Sequence, residues 1–251
     1  MLDAWRLAVG TLTALRVGHP SRVDRRTAGG AMLLAPLAVV PLGVLVGLIG
    51  WAGRELELAP LAVAFVAVGA LAMGSRALHL DGLSDVADAL TVSYDRERSL
   101  DVMKGGTSGP AGSAALVLVL GLQVAALASV LSTPRGPVVA AVLVCVSRAT
   151  LTVTCARGVP AARDGGLAAS YVGTVAPVAV VATWVAAAAV TYGVLDWAGH
   201  DWWHGPLVAA AGLAVGTALT LRCVRRLGGV TGDVFGAAIE VTLATLLLGA
   251  S

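Results

Sequence analysis

The stretch GSAALVLVLGLQVAALASVLS, from Gly112 to Ser132, runs for 21 residues without a charged side chain. The hydrocarbon core of a bilayer is about 30 Å thick and needs roughly 20 mostly apolar residues for one helical crossing. This segment therefore predicts a transmembrane helix, and it identifies the bilayer as the solvent in which the rest of the chain must fold.

Six other stretches have the same character. The predicted spans are residues 28–51, 57–78, 136–155, 174–196, 205–221 and 234–250. The chain has 31 glycines and only two phenylalanines, so these helices should have small faces that pack closely. The expected fold is an all-α integral membrane bundle of about seven helices, within a range of six to eight, that forms a single domain over residues 1–251.

The overall composition agrees with a membrane protein. Hydrophobic residues make up 57% of the 251 residues and charged residues 13%, and the mean hydropathy is +0.86, whereas about 25% of the residues are charged in a typical soluble chain. The net charge of +2 and the absence of a long basic block argue against a nucleic-acid partner. Cys145, Cys155 and Cys223 lack zinc-type or redox spacing and are interpreted as small apolar residues.

The positive charges predict an orientation. With the amino terminus in the cytoplasm, Arg54 and Arg135 fall on the far side and Arg148 lies within a span, so fourteen of the 17 Lys and Arg residues face the cytoplasm. Such an excess is typical of cytoplasmic loops. The far-side boundary carries the tryptophans expected of an aromatic belt, namely Trp51, Trp197, Trp202 and Trp203. The apolar spacing from Leu2 to Leu15 suits a helix on the membrane surface.

Three predicted cytoplasmic segments contain more charged and glycine residues than a simple loop between spans requires. The first is HLDGLSDVADAL, from His79 to Leu90. In a helix, Asp81, Asp85 and Asp88 would lie on one face within an arc of roughly 60°. Like charges placed so closely repel, and a divalent cation such as Mg²⁺ or Mn²⁺ would relieve that repulsion. A solvated acidic helix end is the alternative. His79 could serve as a base or only as a hydrogen-bond neighbour.

The second segment, from Tyr94 to Gly112, combines an amphipathic half with a glycine-rich half that leads into the next span. Backbone N–H groups and a helix start at Gly109 and Gly112, with Lys104 nearby, could bind a phosphate. The same glycines would also suit an ordinary hinge at a helix start.

The third segment runs from Arg225 to Glu240 and contains paired arginines, a glycine turn and a Thr-Gly-Asp sequence. Glu240 follows Asp233 on the same helical face and lies roughly 10 Å deeper in the bilayer. An ionisable residue inside a span points to function by default. Arg148, also within a span, is the expected partner of Glu240, and a purely structural pair is the alternative.

These segments resemble, in this order, the motifs of the bacterial cobalamin synthase family, the adenosylcobinamide-GDP ribazoletransferases. The matching strings are HLDGLSDVADAL, DRERSLDVMK from Asp95 to Lys104, and GGVTGDVFGAAIE from Gly228 to Glu240. The resemblance covers nearly the whole chain, but residues 105–108 and the end of the first motif, Asp88-Ala89, depart from the family pattern. It implies a cation-dependent enzyme of the bacterial inner membrane that joins adenosylcobinamide-GDP to α-ribazole, or to its 5′-phosphate, and releases GMP.

The resemblance also suggests roles for individual residues. Asp81, Asp85 and Asp88 would hold one or two Mg²⁺ ions, Asp233 would add a ligand or a base, and either a carboxylate or His79 would accept the hydroxyl proton. Corrinoid and ribazole substrates and the lipid bilayer are the expected partners, and a homo-oligomer is possible. The predicted substrate-binding residues are Lys104, Gly109, Gly112, Arg148, Arg225, Arg226, Gly228, Gly229, Thr231 and Glu240.

Two other classes of membrane protein are alternatives to a ribazoletransferase. Another magnesium-dependent membrane phosphotransferase or prenyltransferase would carry a DGxxAR or DDxxD-like string, and neither string occurs in the chain. An ion-coupled transporter could use Glu240 and Arg148, but its ionisable residues should cluster at the midplane of the bilayer and its halves should be related. Here the acidic residues collect at one side.

Overall fold

The computed structural model describes residues 1–103, 105 and 107–251. Over these residues the chain forms twelve α-helices, a 3₁₀ turn at Leu167–Ser170 and two isolated β-bridges, without a β-strand. The α-helices are α1 (Leu2–Leu12), α2 (Arg25–Ala38), α3 (Val40–Glu55), α4 (Pro60–Gly74), α5 (Leu78–Val92), α6 (Arg96–Val102), α7 (Pro110–Leu131), α8 (Gly136–Ser147), α9 (Thr150–Thr154), α10 (Pro177–Ala198), α11 (His204–Leu227) and α12 (Gly232–Gly249).

The predicted all-α membrane bundle is confirmed. In the described residues, six helical segments are long and apolar enough to cross a membrane, and α4 with α5 makes a seventh if that bent pair counts as one span. The predicted span at 28–51 corresponds to α2 and α3 together, which form one segment, Arg25–Glu55, interrupted only at Val39 between two prolines, Pro36 and Pro41. Proline removes a backbone donor and crowds the preceding turn, which explains the break.

The predicted span at 57–78 differs from the structure. Its helix, α4, ends at Gly74, and Arg76 and Ala77 adopt left-handed backbone conformations with φ of 58° and 54°. The next helix, α5, leaves at 91° to α4. Hydropathy could not predict this bend, because it reports the length and composition of a segment and not the backbone conformation of single residues. The bend directs the acidic segment into a helix of its own that packs on α12 and α7.

The contact between α5 and α12 brings two backbones together. A Cβ atom placed on Gly82 would lie 2.5 Å from the carbonyl oxygen of Asp233, and one placed on Gly236 would lie 2.8 Å from the Cα atom of His79. Cβ atoms do not approach backbone this closely, so both positions require glycine. The crossing sets the acidic face of α5 beside the start of α12.

Buried polar side chains join α5, α7 and α12 at the same crossing. Glu240 is 4% exposed and lies 3.5 Å from His79, Oε1 to Nδ1. The buried Gln123 amide donates to the Glu240 carboxylate at 2.7 Å and to its backbone oxygen at 3.1 Å. Gln123 was not singled out from the sequence, because one amide in a long apolar helix is a weak signal.

The predicted ion pair between Glu240 and Arg148 is not formed. The Arg148 guanidinium is fully buried but donates to the Val144 carbonyl and the Ser147 hydroxyl, at 2.9 and 2.8 Å. Its charge still acts on Glu240 at longer range. Arg148 follows the last residue of α8, and its guanidinium bonds groups at the end of that same helix in place of α12.

The Glu240→Ala variant should lose stability, because His79 and Gln123 would both lose a buried partner. We expect a cost of about 3 kcal/mol, which is typical of removing one member of a buried charged network. Thermal unfolding of the detergent-solubilised protein measures the effect. Glu240→Gln keeps an acceptor for Gln123 and should recover much of the loss. Equal stability of Glu240→Ala and the unmodified protein would contradict this role.

Candidate active site

Three carboxylates lie within reach of one another's charge where α5 crosses the start of α12. Asp81 is exposed and Asp85 half-buried on α5, while Asp233 is half-buried in the first turn of α12. The charges of Asp81, Asp233 and Asp88 all act on Asp85. Within the described residues, no Lys or Arg forms an ion pair with any of these carboxylates. The cluster is therefore a region of negative charge that no ion pair neutralises.

Asp233 has two neighbours that could orient it. The Thr231 hydroxyl donates to Asp233 Oδ2 at 3.0 Å, and the charge of Arg163 acts favourably on the same carboxylate. Arg163 is held in place by a hydrogen bond to the Leu100 carbonyl. In the sequence, Arg163 is one of the positive charges that set the orientation and belongs to a polar loop that could close over a ligand, but nothing in the local sequence connects residues 163 and 233.

Asp88 has a different environment from the other acidic residues. Its buried carboxylate accepts the Gly109 N–H at 2.6 Å and the Gly112 N–H at 2.9 Å, at the start of the 22-residue helix α7. A Cβ atom on Gly109 would lie 2.5 Å from Asp88 Oδ1, so the loop needs glycine to approach. A carboxylate at a helix start satisfies orphan N–H groups and complements the helix dipole. Asp88 on α5 therefore caps α7 and connects the two helices by hydrogen bonds.

This arrangement bears on two predicted roles. The Gly109 and Gly112 N–H groups, expected to bind a phosphate, already have a protein acceptor. Ser84 and Ser108, whose hydroxyls are 2.8 Å apart, extend the same junction. The proposed metal-binding role of Asp88 and the phosphate-binding role of the two glycines stay predictions.

The donor chemistry of the cluster suits a hard divalent cation, since carboxylate oxygens are the preferred ligands of Mg²⁺. In the part of the chain that the structure describes, no three side chains of His, Cys, Asp or Glu converge closely enough to hold a metal ion. A magnesium or manganese site therefore stays a prediction. Lys104, a predicted phosphate ligand, lies outside the described residues.

The glycine turn after α11 is held by an arginine that the sequence analysis did not select. Arg96 donates to the Leu227 carbonyl at 2.8 Å and to the Ala162 carbonyl at 2.9 Å. Gly228 has a φ of 73°, and a Cβ atom on it would lie 2.7 Å from Arg96 Nε. A Cβ atom on Gly229 would lie 2.4 Å from the backbone carbonyl carbon of Ala161. Both glycines therefore have a structural reason to be present.

The two arginines before this turn have separate environments. Arg225 is exposed, whereas Arg226 is half-buried, donates to the Ser93 carbonyl and lies 4.4 Å from the centre of the Tyr94 ring. The structure therefore joins Arg226 to the segment after α5 and leaves Arg225 available at the surface. Their contact with substrate stays a prediction.

The fold and the site define a class of protein. A polytopic helical membrane bundle that places several carboxylates near the start of one helix, with the charge of Arg163 acting on one of them, has features of a membrane-embedded enzyme. Comparison with known proteins identifies the family within that class. The cobalamin-5-phosphate synthase family matches residues 4–251, and the chain belongs to this family.

Several curated relatives are similar over nearly their whole length. A protein of a Nocardioides species is 54% identical over 249 residues, covering 99% of this chain and 98% of the relative. A Frankia casuarinae protein is 38% identical and a Bradyrhizobium diazoefficiens protein 32% identical, covering 99% and 98% of this chain and 94% and 92% of the relatives. All three are named adenosylcobinamide-GDP ribazoletransferase. No solved structure matches the chain.

The capping role of Asp88 predicts a local effect on α7. Asp88→Asn can keep one acceptor but presents an NH₂ group to the second N–H, so we expect a loss of about 1 to 2 kcal/mol, as for other lost helix caps. Hydrogen exchange of residues 107–113 should accelerate in this variant. Asp85→Asn is the matched control, because in the described residues Asp85 makes no hydrogen bond that would be lost. Equal exchange in both variants would contradict the assignment.

Proposed function

We propose that the chain transfers the phosphocobinamide group of adenosylcobinamide-GDP to the 3′-hydroxyl of α-ribazole, or of its 5′-phosphate, as the late step of nucleotide-loop assembly in cobalamin biosynthesis. The ribazole oxygen forms a bond to the phosphorus that carries cobinamide. The bond from that phosphorus to the oxygen of GMP breaks, and the hydroxyl proton passes to a base. Membership of the family supports this assignment.

The observation that carries the proposal is the unpaired carboxylate cluster of Asp81, Asp85 and Asp233. Mutual repulsion favours binding of a divalent cation, and a diphosphate substrate needs its charge neutralised before an oxygen nucleophile can approach. We propose that these carboxylates bind Mg²⁺, or Mn²⁺ in its place, together with oxygens of the diphosphate, which would supply the ligands that the side chains alone do not bring together. Asp88 is proposed to add a carboxylate oxygen while it caps α7. The ion would supply electrostatic stabilisation of the diphosphate.

The remaining groups are assigned by their surroundings. Arg225, exposed beside the glycine turn, is suited to the departing GMP, and Arg226 and Lys104 are proposed to offset further phosphate charge. Asp85 or Asp233, through an oxygen that does not bind the ion, would accept the hydroxyl proton, since both carboxylates are half-buried and neither forms an ion pair with a Lys or Arg in the described residues. The burial of His79 against Glu240 favours a role for it in positioning α5.

We further propose that the chain lies in the bacterial plasma membrane with its amino terminus in the cytoplasm. The uneven distribution of arginines supports this orientation. It would place Asp81, Asp85 and Asp233 at the cytoplasmic side, where a nucleotide-linked substrate is made.

The proposed reaction predicts the effect of Asp85→Asn. The variant should insert and fold normally, yet release GMP from adenosylcobinamide-GDP and α-ribazole at least about a hundredfold more slowly, because it lacks a metal-binding charge. The assay measures GMP with and without Mg²⁺, in proteoliposomes. Glu97→Gln, which removes an exposed carboxylate from α6, is the control and should be fully active. Near-normal turnover of Asp85→Asn would refute the assigned role.

The proposed orientation predicts which loops are accessible from outside the cell. Asp201→Cys, in the exposed loop between α10 and α11, should react with a membrane-impermeant maleimide in intact cells, or in spheroplasts if an outer layer blocks the reagent. Glu97→Cys should react only after permeabilisation. The unmodified protein, whose Cys155 and Cys223 are buried, provides the blank. The opposite labelling pattern would overturn the orientation.

A further inference from the structure

An apolar groove of about 820 Å³ runs along the outside of the bundle between α2–α3, α8 and α10. Its walls include Leu37, Val44 and Trp51 on one side and Val138 and Val190 on the others. These walls are open to the outside of the bundle. The exposed fraction is between 48% and 57% for Leu37, Val44, Val138 and Val190. From Leu33 to Trp51 the groove follows about 27 Å of helix, close to the thickness of the hydrocarbon core.

A second depression, of about 760 Å³, adjoins the groove at the start of α2. Leu33 lines both, and α10 continues from one to the other, with Ala179 in the second and Thr183 in the first. Four arginines line this second depression, which we call the arginine pocket: Arg22, Arg25, Arg26 and Arg157. A basic pocket is therefore continuous with an apolar groove.

The charge of the arginine pocket is only partly neutralised. Arg22 pairs with Asp24 at 3.0 Å, and Arg25 donates to the Gly173 carbonyl at 3.1 Å. Asp3 also lines the pocket, and hydrogen bonds from Ser21 lower the pKa of its carboxyl, which keeps it charged. Within the described residues, the guanidinium groups of Arg26 and Arg157 have no partner.

We propose that this continuous surface binds an anionic phospholipid, with the headgroup phosphate between Arg26 and Arg157 and an acyl chain in the groove. Charge complementarity selects the headgroup, because unpaired guanidinium groups bind phosphate through charge-assisted hydrogen bonds. Continuity with the groove selects a lipid over a free anion, since a small soluble phosphate would leave the apolar walls uncovered. No lining residue belongs to the carboxylate cluster, so the site is separate from the proposed chemistry.

Native mass spectrometry of the full chain in detergent tests this site, with added phosphatidylglycerol or phosphatidylcholine of identical acyl chains. The unmodified protein should retain phosphatidylglycerol at least about tenfold better, and the double variant Arg26→Ala/Arg157→Ala should lose that preference. Arg222→Ala, which removes an exposed arginine outside the pocket, is the control and should keep it. Equal retention of the two lipids by the unmodified protein would overturn the proposal.

A groove variant separates a lipid from a free phosphate. Val138→Trp should fill the groove and reduce phosphatidylglycerol retention, whereas Val117→Trp, at a 72% exposed position on α7 away from the groove, should not. Inorganic phosphate at millimolar concentration should not displace the lipid. If phosphate displaced it, or if Val138→Trp retained it as well as Val117→Trp, the arginine pocket would be a site for soluble anions and the proposal would fail.

Discussion

The close contact of α5 with α12 is the constraint on which the site depends. Gly82 and Gly236 allow the two backbones to touch, and Glu240 binds both His79 on α5 and Gln123 on α7. In an apolar solvent an unpaired carboxylate is expensive, so a network that satisfies Glu240 selects one arrangement of the three helices. Any other docking of α5 would move Asp81 and Asp85 away from Asp233.

The bend between α4 and α5 makes this contact possible. Had the helix continued straight through Arg76 and Ala77, the acidic residues would have extended away from α12. The left-handed turn instead lays α5 against α12 and α7, where the Asp88 carboxylate accepts two N–H groups at the start of α7. The bend after α4 thus positions α5 against α12, and this position of α5 brings Asp88 to the start of α7.

Sequence reasoning predicted the elements well because a bilayer limits the choices. Span length, apolar composition and the spacing of Asp81, Asp85 and Asp88 depend on local residues, and the corresponding helices are present. The bend at Arg76 and Ala77 could not be predicted, because neither residue normally favours left-handed backbone. The partners of Glu240, Asp88 and Arg96 were missed for another reason: each is distant in sequence, so only the packed helices reveal it.

The acidic residues separate into two groups by what surrounds them. Asp88 and Glu240 are buried, and each accepts hydrogen bonds from backbone or amide groups, as a carboxylate in a low-dielectric interior must. Asp81, Asp85 and Asp233 reach solvent and form no ion pair in the described part of the chain, so their mutual repulsion is relieved only by the longer-range charge of Arg163. A fold that satisfies its buried carboxylates yet leaves three neighbouring ones unpaired retains binding capacity for a cationic ligand. That contrast explains why these three residues, among all the acids of the chain, are assigned the chemistry.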